Sequence, residues 1–537
     1  MRGVSVISAE TIWHNGNILT GVGLETEHPE RVRAIAAARG EVVAAGSDAD
    51  ILRLRGPRTQ RIDLEGAFAM PGFNDAHLHL GMAARILTSV DLLGVRSLAE
   101  MQTRVRATAQ SAAAGEWLRG GGWDHTLWAD QRLPTRADLD AAAIGHPAFF
   151  QRVDGHIAVA NSAALAAAGI TQATPNPAGG EIDRDAKGEP TGVLRETAMR
   201  LVQAPPLAPE PRRRGLELAL GEAVRHGVTS LQDFSDWEFF LVLEEIRREG
   251  KLPVRVAEWL PFFSPLDELK RKRAHRAADD RLLRTTMLKG FLDGSLGSRT
   301  AAMKAAYADD AGNMGLPRYD QDELNAMAAD RARAGFQLGF HAIGDRAVEM
   351  ALEALRAARD AAPKRDPRHR IEHSQVVSAG DFARYRELRA IASMQPNHLL
   401  TDMAWAQERL GPVRSARAYA WRSFACAGVP LAFGTDYPVE PITPFRGIYA
   451  AVTRKNEIGT DVFYPEQTLT MAQTLYAYTQ GAAYAEFAET WKGTLAPGFV
   501  ADFVVLDRNL TACAPQELLG TRVLRTVVGG RTVYEHP

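Results

Sequence analysis

Cysteine is nearly missing from this chain: its 537 residues include two, Cys426 and Cys513. Two such thiols make no disulfide framework, and neither has the partners of a thiolate metal site, so a reducing, cytoplasmic setting is expected. An excess of charge of either sign is missing too. The formal net charge of −2 removes the electrostatic case for nucleic acid or an anionic membrane as partner. Basic runs such as Arg212–Arg214 and Lys270–Arg273 sit in polar helical sequence and read as solvated faces. Long apolar runs are also lacking. No window approaches ~18 uninterrupted apolar residues, so no transmembrane helix is expected. Glu10, His14 and Asn15 interrupt the first residues, which lack the basic and apolar stretches of a secretion signal.

What is present is length enough for more than one core. Residues 1–70 carry short apolar runs broken by glycine and asparagine, with a hairpin expected over Val32–Ala44 around Arg39-Gly40. Residues 490–537 show a similar pattern, with Ala501–Leu506, then Val523–Val528, a Gly529-Gly530 turn and Arg531–Tyr534. Small β segments at opposite ends leave open sheet edges unless they join, so one composite β-sandwich is expected from both.

Between them, over 71–489, strands alternate with amphipathic helices, the pattern of βα units around a parallel sheet. Eight strand candidates stand out: Phe73–His79, Gly227–Asp233, Val254–Ala257, Met287–Phe291, Phe336–His341, Arg370–His373, Ala390–Gln395 and Leu431–Asp436. Eight such units close into a TIM-type (β/α)8 barrel, whose chemistry lies at the strand C-termini. His341 to His373 is 32 residues and His373 to Asp436 is 63, about one and two βα units. The gap from His79 to Gly227 is far too long for one unit. An inserted subdomain is therefore expected over about 85–215, in a βα loop and hence on the mouth side of the barrel.

The most informative stretch is Pro71-Gly-Phe-Asn-Asp-Ala-His-Leu-His79. Residues two apart on a strand share a face, so His77 and His79 stand side by side at a strand end, as a metal requires. Lys289, His341, His373 and Asp436 fall at other strand ends. Imidazole nitrogen and carboxylate oxygen suit Zn²⁺, and two ions need a further bridging ligand. Lys289 is the candidate, because a lysine that loses its proton in an apolar setting can take up CO₂ as a carbamate, chemically a carboxylate.

These motifs resemble the metal-dependent amidohydrolase superfamily. More narrowly, the chain is similar to its amidohydrolase-3 or YtcJ-like branch, which includes N-substituted formamide deformylases. The branch features are Lys289-Gly-Phe-Leu-Asp-Gly-Ser-Leu-Gly-Ser-Arg-Thr-Ala301, His341-Ala-Ile-Gly-Asp-Arg-Ala347, Ile371-Glu-His373, Ser393-Met-Gln-Pro396, and Arg152-Val-Asp-Gly-His156 with Asn161. The resemblance implies a distorted barrel with a composite sandwich and one or two Zn²⁺-type ions. In the two-ion arrangement His77 and His79 hold the buried metal with Asp436, carboxylated Lys289 bridges, and His341 and His373 hold the second. In the one-ion arrangement His77, His79, His341 and Asp436 hold it, and His373 meets substrate.

The implied reaction is attack of metal-activated water on an amide carbonyl, with Asp436 as base and carrier of the proton to the leaving amine. Substrate contacts are expected from His156, Asp154, Asp293, Arg299 and Trp123. Each has a structural alternative: a turn role for Asp154 and His156, loop fixing for Asp293 and Arg299, core packing for Trp123. His398 and the remaining histidines without strand-end context read as structural or solvated. The expected partner is a small amide, an N-formyl or N-acyl amine, and a homodimer is the base-rate expectation. A one-metal deaminase, an esterase or carbamate hydrolase, and a non-catalytic regulator are the alternatives.

Overall fold

The computed structural model describes residues 8–26 and 28–537. Of the N-terminal stretch considered for a secretion signal, residues 1–7 lie outside the described residues. The chain divides into two compact units, one of Met1–Gly81 with Ala219–Pro537 and one of Met82–Leu218.

The first unit is built on eight parallel strands: β1 (Phe73–Leu78), β2 (Val228–Asp233), β3 (Arg255–Pro261), β4 (Leu283–Phe291), β5 (Gln337–Ala342), β6 (Arg370–His373), β7 (Ile391–Met394) and β8 (Leu431–Phe433). They pair in sequence order, so the sheet curls into a nearly closed barrel. Every residue of β1, β2, β6, β7 and β8 is buried, as expected for parallel strands covered on both faces. The seam closes just beyond β8, where the Asp436 amide donates to His77 O at 2.7 Å and the His79 amide to Tyr437 O at 2.8 Å. Asp75 reinforces it, accepting from the amides of His77 and Thr435 and from the Thr435 hydroxyl. Gly434 permits this approach: a Cβ there would lie 2.5 Å from the His77 nitrogen. The seam thus delivers Asp436 to the end of β1.

The chain ends build two further sheets. Phe503–Leu506 runs antiparallel to Phe68–Pro71 within one six-stranded sheet, so N- and C-terminal segments share it. A four-stranded sheet holds Ala9–His14, Ala34–Ala38, Glu41–Gly46 and Arg55–Asp63. Trp13, Ile35, Val42, Phe503 and Val527 pack into a common core, with Trp13 edge-on to Phe503 at 5.0 Å. The Ala34–Ala38 hairpin turns through Arg39 and Gly40, both with positive φ, the conformation a two-residue hairpin turn needs. It is shorter than the sequence pattern implies. Arg31–Val32 leaves it and pairs with Asn17–Leu19.

The second unit, Met82–Leu218, carries its own six-stranded mixed sheet. Helices Leu98–Ser111, Arg136–Ala143 and Ser162–Ala167 accompany it. Its main core gathers Leu92, Met101, Val105, Trp123, Trp128, Leu139 and Phe150. Among the described residues no helix is long and apolar enough to cross a membrane.

Candidate metal centre

The C-terminal ends of β1, β4, β5 and β6 and the turn after β8 bring His77, His79, Lys289, His341, His373 and Asp436 together. His77 is fully buried and the His79 side chain is 15% exposed. Each ring is held from behind. His77 Nδ1 lies 2.7 Å from Glu372 Oε2, and His79 Nδ1 lies 3.0 Å from the carbonyl of Phe234. A ring nitrogen facing an acceptor carries a proton, so Nε2 is the atom that each ring turns toward the site. Both Nε2 atoms point at Asp436 Oδ1, 3.6 Å from His77 and 3.1 Å from His79.

Burial and the nearby Lys289 charge depress the His77 pKa to about 4, keeping the ring neutral at pH 7. Burial alone would raise the Asp436 carboxyl, but the hydrogen bond from His398 and the adjoining His79, His77 and His373 side chains outweigh it and hold the group well below the usual carboxylate range. Asp436 and His373 both have left-handed backbone, φ 61° and 71°, a conformation that costs energy in a residue with a Cβ and concentrates at functional sites.

His373 Nδ1 is buried without a hydrogen-bond partner, 4.0 Å from Asp436 Oδ2, and burial foremost keeps this ring neutral as well. The His341 ring lies 4.4 Å from that of His373. Its Nε2 sits 2.9 Å from Gly294 O, so the lone pair is on Nδ1. Burial brings its pKa to about 3. Lys289 is buried with Nζ 3.0 Å from His77 Nε2 and close to the Trp259 and Phe291 rings. Desolvation lowers its pKa to about 8, so an appreciable fraction is neutral amine near neutral pH.

Among the described residues two groups of three donors result, His77 with His79 and Asp436, and His373 with His398 and Asp436. The first has the two imidazole Nε2 atoms, the carboxylate and the unpartnered buried Oδ1 that a divalent ion of the Zn²⁺ type takes. The second contains a residue that strand-end logic passes over. His398 lies on the helix Asn397–Asp402 that follows β7, with Nε2 3.1 Å from Asp436 Oδ2. Burial opposes its protonation, but the Asp436 hydrogen bond and charge raise its pKa overall. Its signal in the sequence is position, two residues beyond the Ser393-Met-Gln-Pro396 motif, where the chain turns back toward the barrel mouth.

The expected substrate contacts fare differently. Trp123 is corrected: it is wholly buried in the core of the second unit, and its indole N–H donates to Phe150 O, so its apolar area is spent on packing. Asp154 accepts from the His156 amide at 3.1 Å and pairs with Arg152, a turn-forming arrangement. His156 pairs with Glu196 at 3.0 Å. Asp293 is buried beneath His341 and accepts from the amides of Ala302, Ile343 and Gly344. Burial still lifts its pKa to about 7. Arg299 pairs with Asp309. Asp293 and Arg299 therefore fix the loop after β4. Half-buried Phe234 and Phe291 flank the donors, their rings 5.6 Å apart and 6.1 and 5.3 Å from His79 and His341 respectively.

Comparison with known proteins points the same way. The chain is 33% identical to Protein LONG AFTER FAR-RED 3 of Arabidopsis thaliana, over 98% of this chain and 92% of that protein. It is 31% identical to the putative amidohydrolase YtcJ of Bacillus subtilis (strain 168), over 98% and 99%. With the N-substituted formamide deformylase of Arthrobacter pascens it shares 28% identity, over 94% and 95%. A crystal structure of an uncharacterized metal-dependent hydrolase from Pyrococcus furiosus superposes with a TM-score of 0.79 at 31% identity, covering 93% of this chain and 99% of that one. A sequence model described as the amidohydrolase family matches residues 60–534, and the chain belongs to that family.

Proposed function

We propose that the chain hydrolyses the carbon–nitrogen bond of an amide, an N-formyl or N-acyl amine, with one or two Zn²⁺-type ions. The observation that carries this is the convergence of two imidazole Nε2 atoms on Asp436 Oδ1, each ring fixed from behind. His77, His79 and Asp436 would hold the buried ion and His341 and His373 a second; the neutral Lys289 amine, by adding CO₂ with formation of an N–C bond and release of a proton, would supply a further carboxylate-like ligand. A bound divalent ion supplies an acidified water and polarises the amide carbonyl.

The chain's own residues do the rest. Asp436 accepts the proton of the attacking water and passes it to the departing amine nitrogen, so that carboxylic acid and amine leave as separate products. His398 donates to Asp436 Oδ2 and keeps that carboxylate aimed. Phe234 and Phe291 give the N-substituent an apolar resting face. The 28% identity to an N-substituted formamide deformylase supports this substrate class.

The test is a panel of N-formyl amines, N-acyl amines, carbamates and esters, with acid and amine detected directly. Release of amine and formate or another acid is the expected result. Turnover confined to esters would replace the amide assignment, and a metal-loaded protein that releases nothing from any member would support a non-catalytic role.

A further inference from the structure

Strand β6 carries Arg370 and Glu372 two residues apart, hence on the same face, and both are fully buried. Two opposite charges inside a barrel are costly to desolvate and survive only when paired and fully hydrogen-bonded. Arg370 meets that condition. Its Nε lies 2.8 Å from Glu372 Oε1 and its Nη2 3.1 Å from Oε2. Nη2 also donates to Ala76 O and Ser393 Oγ, both at 2.7 Å, and Nη1 donates to Gln232 Oε1. Gln232 continues inward through its amide to Ala482 O and toward Asn74 and Glu486. Lys492 closes the far end on Glu486 at 2.6 Å.

Two of these contacts converge on one histidine. Glu372 Oε2 accepts from His77 Nδ1, and Arg370 holds the carbonyl of Ala76, the residue just before His77. We infer that Arg370 and Glu372 form a positioning pair for His77. Arg370 fixes the backbone that carries the ring, and Glu372 fixes the ring's rotation and keeps its proton on Nδ1. His79 is held by a neutral carbonyl instead. A carboxylate behind a ligating imidazole makes it a stronger donor, so the two members of the His-x-His pair are unequal, and His77 is the one on which metal affinity depends more.

This inference rests on the proposed metal centre, and its test separates the two. Zn²⁺ affinity of the full-length protein is measured by competition with a chromophoric chelator, and the visible spectrum is recorded after loading with Co²⁺. Glu372→Gln removes the charge. Glu372→Asp keeps a carboxylate for Arg370 but withdraws it from His77, which guards against a variant that fails to fold. Lys492→Met, at the far end of the chain of contacts, perturbs the same buried polar network without touching His77. Both Glu372 variants are expected to lose about 10–100-fold in affinity and to shift the Co²⁺ bands, while Lys492→Met stays within about twofold.

A folded Glu372→Asp protein with wild-type affinity and spectrum overturns the assignment. So does a Lys492→Met protein that loses as much affinity as the Glu372 variants, because the effect is then general loosening. The wild type gives a readout that needs no variant: nitrogen-15 spectra of His77 in the Zn²⁺-loaded protein place the proton on Nδ1, and a proton on Nε2 contradicts the inference. A wild type that binds no Zn²⁺ contradicts the hydrolase reading itself.

Discussion

Two histidine–carboxylate pairs in this protein are nearly the same length and do different things. In the barrel unit His77 meets Glu372 at 2.7 Å, and neither side chain is exposed. In the Met82–Leu218 unit His156 meets Glu196 at 3.0 Å, with the side chains 66% and 56% exposed. Distance does not separate them, but surroundings do. Water competes for the second pair, so it adds little order or energy. The first is closed to water, and Arg370 also grips the carboxylate. Charge becomes a positioning device only where solvent cannot replace it.

The largest effect should come from breaking the barrel side at the carboxylate proposed to react. Asp436→Asn is expected to lower kcat by about 10²–10⁴-fold while part of the metal binding survives, measured by steady-state kinetics beside metal content; retained turnover removes Asp436 as the base. Lys289→Ala comes next. In the two-ion arrangement it abolishes activity, and short carboxylic acids added to the assay restore part of it. A Lys289→Ala protein still carrying two equivalents of metal excludes the lysine bridge.

A third prediction moves the comparison to a buried histidine away from the metal centre. His369 accepts from the Leu338 amide at Nδ1, and burial, aided by the Arg365 charge, lowers its pKa to about 3. An unfolded histidine takes up a proton below pH ~6.5 that the folded one refuses. Its contribution to stability is therefore complete above that pH and is lost as pH falls from ~6.5 toward 3. Denaturant unfolding of wild type against His369→Gln should show the wild type losing up to about 1.4 kcal/mol per pH unit more across that window. Parallel pH profiles would leave His369 out of the acid response. The smallest effect belongs to the exposed pair: Glu196→Gln is expected to change stability by no more than about 0.5 kcal/mol and Zn²⁺ affinity not at all. A large change in either would erase the contrast between the two pairs.

Much of the barrel is legible in the sequence because its strands are short apolar runs ending in a polar residue, and the His-x-His spacing alone puts two imidazoles on one face of β1. Asp436 is legible as the polar residue that follows the last apolar run, though it lies on the turn beyond β8. His398 is not, because Pro396 ends the strand pattern and the next residues turn into a short helix whose direction depends on tertiary contacts. Glu372 sits inside the Ile371-Glu-His373 motif with no role visible from the motif itself. Its clue is alternation, since Arg370 and Glu372 share a face that a barrel must bury. Trp123 misleads because an aromatic beside glycines looks the same in sequence whether it lines a pocket or fills a core, and only packing against Leu92, Met101 and Phe150 tells them apart. Val32 falls outside its expected hairpin because the pattern of apolar residues does not show which neighbour a strand will choose.

On the proposed mechanism His77 and His79, aimed by their own hydrogen bonds, hold a catalytic metal with Asp436. Metal content of the purified full-length protein, compared with that of a His77→Ala/His79→Ala variant shown by circular dichroism to be folded, tests this most directly. One to two equivalents of a divalent transition metal are expected in the wild type, with the buried ion and the turnover both lost in the variant. A folded wild type that carries no metal and still hydrolyses its substrate, or a variant that keeps its full metal content, would contradict it.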